Sequence, residues 1–360
     1  MYRSLGIVCL LIVATAAQAA ELPEMPLPRR PAATVAVNCN NGESVQAAVD
    51  ASSAPVEIQI TGICVENVFI RDKDVSLRGT QAPSLDGIRS PTEDPALTIY
   101  GTVIAAIDDL SFSNSPETAV QIRSGARIAI SNSRFENNGL IGLIVDSDAS
   151  VRGNGLTFRD NPDTNSIGID ATFICDACDF IGGGAASVSL RRGFVSLRDS
   201  VVTGDVGIVA DEVGAFIDHD CASIETTHPC SMNVTGPAAI SVFGGTAVLF
   251  GTGNFTGQLI VDDRATVRLN GAVQRLGSVD GAPNIADNLG EIVVAPLTDP
   301  AMQSLILDTE AAHFARVLLT GNSVLGGPLQ CSGAADAFLD PTVARVNGAT
   351  VTGCEHGGVR

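Results

Sequence analysis

The sequence predicts an all-β chain wound as a single-stranded right-handed parallel β-helix, a solenoid of short coils preceded by one helix. Two residue columns and a set of turns predict it. Phe112, Phe135, Phe158 and Phe180 lie 23, 23 and 22 residues apart, and Val202 stands another 22 along. Self-similarity at a fixed period marks a chain of stacked repeats. One column earlier stand Leu97-Thr98-Ile99-Tyr100, Val120-Gln121-Ile122-Arg123, Leu143-Ile144-Val145-Asp146, Val188-Ser189-Leu190-Arg191 and Ile208-Val209-Ala210-Asp211. In each, two apolar residues alternate with outward ones, which makes a half-buried strand. Just before the Phe column come Asp108, Asn132, Asn154, Asp176 and Asp199, small residues that tolerate left-handed backbone at a turn.

Taken in chain order, residues 1–19 have the layout of a secretory signal peptide: Arg3, a thirteen-residue apolar run from Leu5 to Ala17, and Ala17-Gln18-Ala19 before the cut. The run is short of the roughly 20 residues that cross a bilayer, so no membrane span is expected. Residues 20–33 form a Pro-rich leader, with four prolines between Glu21 and Ala33, and folding is expected to start near Thr34. Glu43 to Asp50 then reads as an amphipathic helix with Val45, Ala48 and Val49 on one face, followed by strands at Val56–Ile60 and Val75–Gly79. Each later repeat offers a third strand between the two columns, such as Ile128-Ala129-Ile130 and Val195-Ser196-Leu197. Asn114, Asn137, Asn138 and Asn161, then Gly182 to Gly184, fit the turn after the Phe column. The solenoid is expected over 34–281. From Ala282 the period blurs, and 282–360 reads as irregular final coils with a C-terminal cap.

Repeats such as Ile130-Ser131-Asn132-Ser133-Arg134-Phe135-Glu136-Asn137-Asn138 resemble those of the pectin-lyase-like superfamily of right-handed β-helices. The resemblance runs from about Gly42 to Gly271. It implies that the opening helix plugs the first coil, whose core and strand edges are otherwise exposed. It implies little about activity, because the superfold hosts lyases, hydrolases, esterases, adhesins and inert scaffolds. The catalytic signatures of the superfamily do not carry over. Asp108-Asp109 stands without the following His-Gly and Arg-x-Lys motifs of a polygalacturonase, since Arg71-Asp72-Lys73 precedes it and His356-Gly357 is nearly terminal. The lyase pattern Arg-x-Pro-x-x-Arg is met halfway by Arg89-Ser90-Pro91, with Asp94 where its second arginine belongs.

Lys and Arg total 21 against 40 Asp and Glu, a net charge of −19, which repels duplex nucleic acid and anionic membranes. The single lysine, Lys73, reads as compositional bias. After Cys9, eight cysteines fall into neighbour pairs: Cys39 with Cys64, Cys175 with Cys178, Cys221 with Cys230, and Cys331 with Cys354. An exported chain favours disulfides, and only residues on the same or adjacent coils come within bridging distance. His219-Asp220-Cys221 and His228-Pro229-Cys230 could instead ligate zinc or copper through His219, Cys221, His228 and Cys230, and Cys175-x-x-Cys178 could be redox active; structural bridges are the plainer reading of both. Asn233-Val234-Thr235 and Asn254-Phe255-Thr256 are glycosylation sequons.

Successive coils should stack the last residue of each first-column strand about 4.8 Å apart on the outside. The resulting stripe is Tyr100, Arg123, Asp146, Asp170, Arg191 and Asp211. Asp146 and Asp170 could serve as acid and base or bind calcium, with Arg123 and Arg191 holding uronate carboxylates and Tyr100 and Asp211 contacting substrate. Carboxyls about 5 Å apart suit a retaining glycosidase and about 6.5 to 9.5 Å an inverting one. The bland alternative is a ladder of weak surface ion pairs. Two functions follow: a non-catalytic exported scaffold for surface, envelope or carbohydrate interaction, or a lyase or glycoside hydrolase acting on an acidic polysaccharide.

Overall fold

The computed structural model describes residues 31–53, 55–218, 231–250, 253–269, 273–277, 282–294, 304–306, 308–320, 323–340, 343–346 and 348–354. The expected signal peptide, most of the leader, and His219, Cys221, His228 and Cys230 lie outside them, as do the side chains of both sequons' asparagines.

The chain is a parallel β-solenoid. One sheet stacks Ala33–Asn38, Val56–Thr61, Val75–Gly79, Ile104–Asp108, Arg127–Ser131, Ser150–Asn154, Thr172–Asp176 and Phe194–Arg198 in that order. A second strand column holds Leu97–Tyr100, Thr118–Arg123, Ile141–Asp146, Thr164–Ile169 and Ala186–Arg191. The Phe column holds Ser111–Ser113, Arg134–Glu136, Thr157–Arg159 and Asp179–Ile181. Each strand pairs with the equivalent strand one coil away, and register is fixed because a one-residue slip would turn every buried side chain outward.

Phe112, Phe135, Phe158 and Phe180 are fully buried. Their rings stack with centroids 5.4, 4.7 and 4.8 Å apart. Such pairs contribute about 0.5–1.5 kcal/mol each beyond the area they bury. The turn beside them carries an internal amide network. Asn138 Nδ2 donates to Phe112 O at 3.1 Å and Asn161 Nδ2 to Phe135 O at 2.9 Å, while Asn161 Oδ1 accepts from Asn138 Nδ2 at 2.9 Å. Both asparagines are buried, so these bonds replace the water that a buried amide would otherwise lack.

The left-handed residue before the Phe column lies one position later than expected in three coils. Asp109, Gly155 and Ala177 hold it (φ 54°, 62° and 54°), while Asn132 and Asp199 hold it as expected. Asp108, Asn154 and Asp176 instead close the preceding strand, in register with Ser131. The drop in period from 23 to 22 also has a structural cause. Between Asp146 and Ser150 the turn is Ser147-Asp148-Ala149, with left-handed Ser147 and Asp148, whereas between Ile169 and Thr172 it is Asp170-Ala171, with Asp170 alone left-handed.

The helix spans Val45–Ala51, with Val45 and Val49 buried against the first coil. Ser44 caps it, and the Glu66 carboxylate accepts from Ser44 Oγ and Val45 N, both at 2.7 Å, and from Gln46 N at 3.1 Å. A carboxylate there complements the orphan N–H groups and the positive end of the helix. At the other end Lys73 Nζ donates to Val49 O, so the single lysine fixes the plug. Cys39–Cys64, Cys175–Cys178 and Cys331–Cys354 are disulfides, the neighbour pairing expected for all three. Where the sequence period blurs, strands still pair in parallel: Glu291–Val294 with Arg316–Leu319, and that strand with Asp336–Leu339. Among the described residues no helix is long and apolar enough to cross a membrane.

Candidate functional site

The stripe residues sit where each second-column strand ends and the chain turns left-handed. Register aligns Arg71 with Tyr100 and Tyr100 with Arg123. Further on, Asp146 aligns with Ile169, Ile169 with Arg191, Arg191 with Asp211, Asp211 with Phe243 and Phe243 with Asp262. Ile169, 37% exposed, therefore occupies the place assigned from sequence to Asp170, which falls one residue further, in the turn at φ 49°. In this strand the apolar pattern points the wrong way. Gly168 faces inward and Leu190 fills its space, a Cβ at Gly168 falling 2.5 Å from Leu190 Cδ1, so the isoleucines at 167 and 169 turn outward.

The charged members of the stripe meet as opposite pairs. Arg123 Nε lies 3.5 Å from Asp146 Oδ1, and Gln121 Nε2 donates to Asp146 Oδ2 at 3.1 Å. Asp146 keeps only 14% of its side chain exposed. Arg191 Nε lies 3.7 Å from Asp211 Oδ2, and Arg192 Nη2 donates to Asp170 Oδ2 at 2.8 Å. The Arg71 guanidinium lies 5.3 Å from the centroid of the Tyr100 ring, a cation–π contact that covers part of its aromatic face. Asp146 and Asp170 thus stand in different pairs, on either side of the Ile169 position. The arrangement knits adjacent coils together, each exposed pair contributing about 0–1 kcal/mol.

Two features escaped sequence reasoning. The first is an open concavity of about 330 Å³ lined by Asp148, Asp170, Thr172, Arg192, Gly193 and Phe194. It opens where the turn loses a residue, at Asp170-Ala171, and the change in period from 23 to 22 was its trace in the sequence. The second is Asp109, whose carboxyl is held above the ordinary carboxylate value by burial first and by Asp108 second, with Arg78 opposing. Asp108 itself accepts from Ser131 Oγ at 2.7 Å and Asn132 Nδ2 at 3.2 Å, and lies 3.7 Å from Arg78 Nε. Among the described residues no three His, Cys, Asp or Glu side chains are gathered closely enough to hold a metal ion. Cys175 and Cys178 are both fully buried, which places their bridge in the core and away from solvent reductants.

No protein-family model and no curated protein matches the chain. Among solved structures it is similar to the crystal structure of pectate lyase Pel9A, at 11% sequence identity and a TM-score of 0.39, over 89% of this chain and 80% of that one. That likeness carries no information about activity.

Proposed function

We propose that the chain is a non-catalytic, exported scaffold that meets a cell-envelope or extracellular carbohydrate along the stripe from Arg71 to Asp211. The observation that carries this reading is the pairing of Arg123 with Asp146, Arg192 with Asp170 and Arg191 with Asp211, which commits the carboxylates of the stripe and of the turn beside it to guanidinium groups between coils. Three disulfides favour an oxidising compartment. Arg71, Tyr100 and Arg123 align on consecutive coils, and although Arg71 lies 3.5 Å from Asp72 and Arg123 3.5 Å from Asp146, the two arginines keep 70% and 46% of their side chains exposed, which leaves guanidinium N–H groups for an anionic sugar rather than a neutral one. Affinity electrophoresis in gels containing acidic or neutral polysaccharides tests this. Retardation by an acidic polysaccharide, weakened by Arg71→Ala/Arg123→Ala, is expected; unaltered mobility in every gel would overturn the carbohydrate part of the reading.

A second reading, a lyase or glycoside hydrolase on acidic polysaccharide, is favoured by one observation: Asp148, Asp170 and Arg192 line one concavity, with Asp148 N donating to Asp170 O at 2.8 Å and Arg192 Nη2 to Asp170 Oδ2 at 2.8 Å.

A further inference from the structure

Beyond Asp211 the corner that carries the stripe is built from tight turns. Ala265 N donates to Asp262 O, Gly290 N to Asp287 O and Ala315 N to Ala312 O, at 3.1, 2.7 and 3.0 Å. Both central residues of each turn are left-handed: Asp263-Arg264, Asn288-Leu289 and His313-Phe314. Such turns are dominated by Gly, Asn and Asp, because a Cβ is crowded at positive φ. Leu289 and Phe314 break that rule, at φ 65° and 64°. Neither gains burial in exchange: they are 50% and 64% exposed, and Phe314 is the most exposed large apolar side chain among the described residues. Bulky residues held in a disfavoured backbone conformation with their side chains in water point to a role outside the fold.

We propose, resting on the carbohydrate reading above, that Leu289 and Phe314 form a stacking platform for a uronate ring of the same acidic glycan, with Arg264 meeting its carboxylate. Arg264 N donates to Asn288 O and Leu289 N to His313 O, so exposed Arg264, Leu289 and Phe314 hold one turn position on successive coils, about 4.8 Å apart. One face of a pyranose ring is a set of C–H groups, and these meet the electron-rich face of Phe314. Polar groups rim the platform. Asn288 Nδ2 donates to Asp262 Oδ1 at 2.8 Å, and His313 Nδ1 lies 2.6 Å from Asp287 Oδ1 with 67% of the histidine side chain exposed. An apolar centre with a few placed polar groups is what orients a small ligand. Phe314 lies four coils past Asp211 at the same corner, roughly 19 Å along the stack at ~4.8 Å per coil, so a glycan that follows the stripe reaches it. Size argues against a protein partner: a Phe side chain buries about 150–250 Å², and this pair falls well below the ~800 Å² per partner of a stable protein interface.

The chain has no tryptophan, so Phe314→Trp in the full chain reports from the platform alone. Its fluorescence is expected to shift saturably with oligogalacturonate and not with a neutral glucose oligomer, while Leu85→Trp, 54% exposed at a different corner, stays silent. Phe314→Gly suits the left-handed turn and should melt no lower than the native chain, yet weaken retardation in an acidic polysaccharide gel several-fold. Fluorescence of Phe314→Trp that ignores oligogalacturonate, or retardation untouched by Phe314→Gly, would overturn the platform. If Arg71→Ala/Arg123→Ala still weakened retardation in that case, the stripe reading would survive it. A response of Phe314→Trp in a chain that no gel retards would support the platform and sink the stripe. Emission that shifts with protein concentration in the absence of sugar would overturn the proposal and assign the patch to a second copy.

Discussion

The side-chain amide of Gln46 accepts from the backbone N–H of Phe69 at 2.6 Å and faces the Phe69 carbonyl at 3.4 Å. A helix residue thereby takes the place of a neighbouring strand at the edge of the first coil. Unpaired edges invite pairing with other chains, and a plug with a peptide-like amide removes that edge. Gln46→Leu keeps the bulk and loses both bonds. It is expected to lower stability by about 1–3 kcal/mol, read from the urea midpoint, and to raise concentration-dependent aggregation. An unchanged midpoint would show that the bonds are incidental.

The Phe ladder sets a second expectation. Phe158 has stacked rings on both sides, at 4.7 and 4.8 Å, whereas among the described residues Phe112 stacks on Phe135 alone, at 5.4 Å. Phe158→Ala should cost about 3–5 kcal/mol, and Phe112→Ala less. Equal losses at the two positions would mean that ring stacking adds nothing to burial.

Gly153 has no room for a methyl group. A Cβ there would lie 2.7 Å from Cys175 Sγ and 2.6 Å from Leu156 Cδ1, beneath the Cys175–Cys178 bridge. Gly153→Ala should therefore destabilise the chain by about 1–3 kcal/mol through overpacking. Thermal unfolding checks this, and a variant as stable as the native chain would show that the core yields there.

The raised Asp109 carboxyl has a pH signature. A folded-state value above the unfolded one means that the native state binds more protons, so this group makes stability fall as pH rises from the ordinary value of 3.8 through the raised one. Above that window the penalty is constant. Asp109→Asn should remove the slope: the stability difference between variant and native chain should grow in favour of the variant across the window and then level off. A difference independent of pH would refute this.

Much of the fold was legible in the sequence because it rests on period and proximity. The Phe column, the alternating strands and the Cys39–Cys64 and Cys331–Cys354 bridges follow from stacking, which brings residues about one coil apart in sequence into contact, and Cys175–Cys178 joins sequence neighbours within one coil. The stripe was legible at Tyr100, Arg123, Asp146, Arg191 and Asp211, where apolar residues point inward. It failed at Asp170, because Leu190 fills the space inside Gly168 and the isoleucines of that strand face outward. The roles of Gln46, Glu66 and Lys73 were invisible for a different reason. Each depends on how the helix seats on the first coil, and no spacing records that.

Turnover tests the central claim most directly. The full chain and Asp146→Ala/Asp170→Ala would be incubated with a panel of acidic and neutral polysaccharides, with and without calcium, while reducing ends and the absorbance of unsaturated uronate products are followed. A scaffold whose stripe carboxylates are bound up in ion pairs releases nothing in either form. Sustained release by the native chain that the double variant loses would contradict the account and make the stripe an active site.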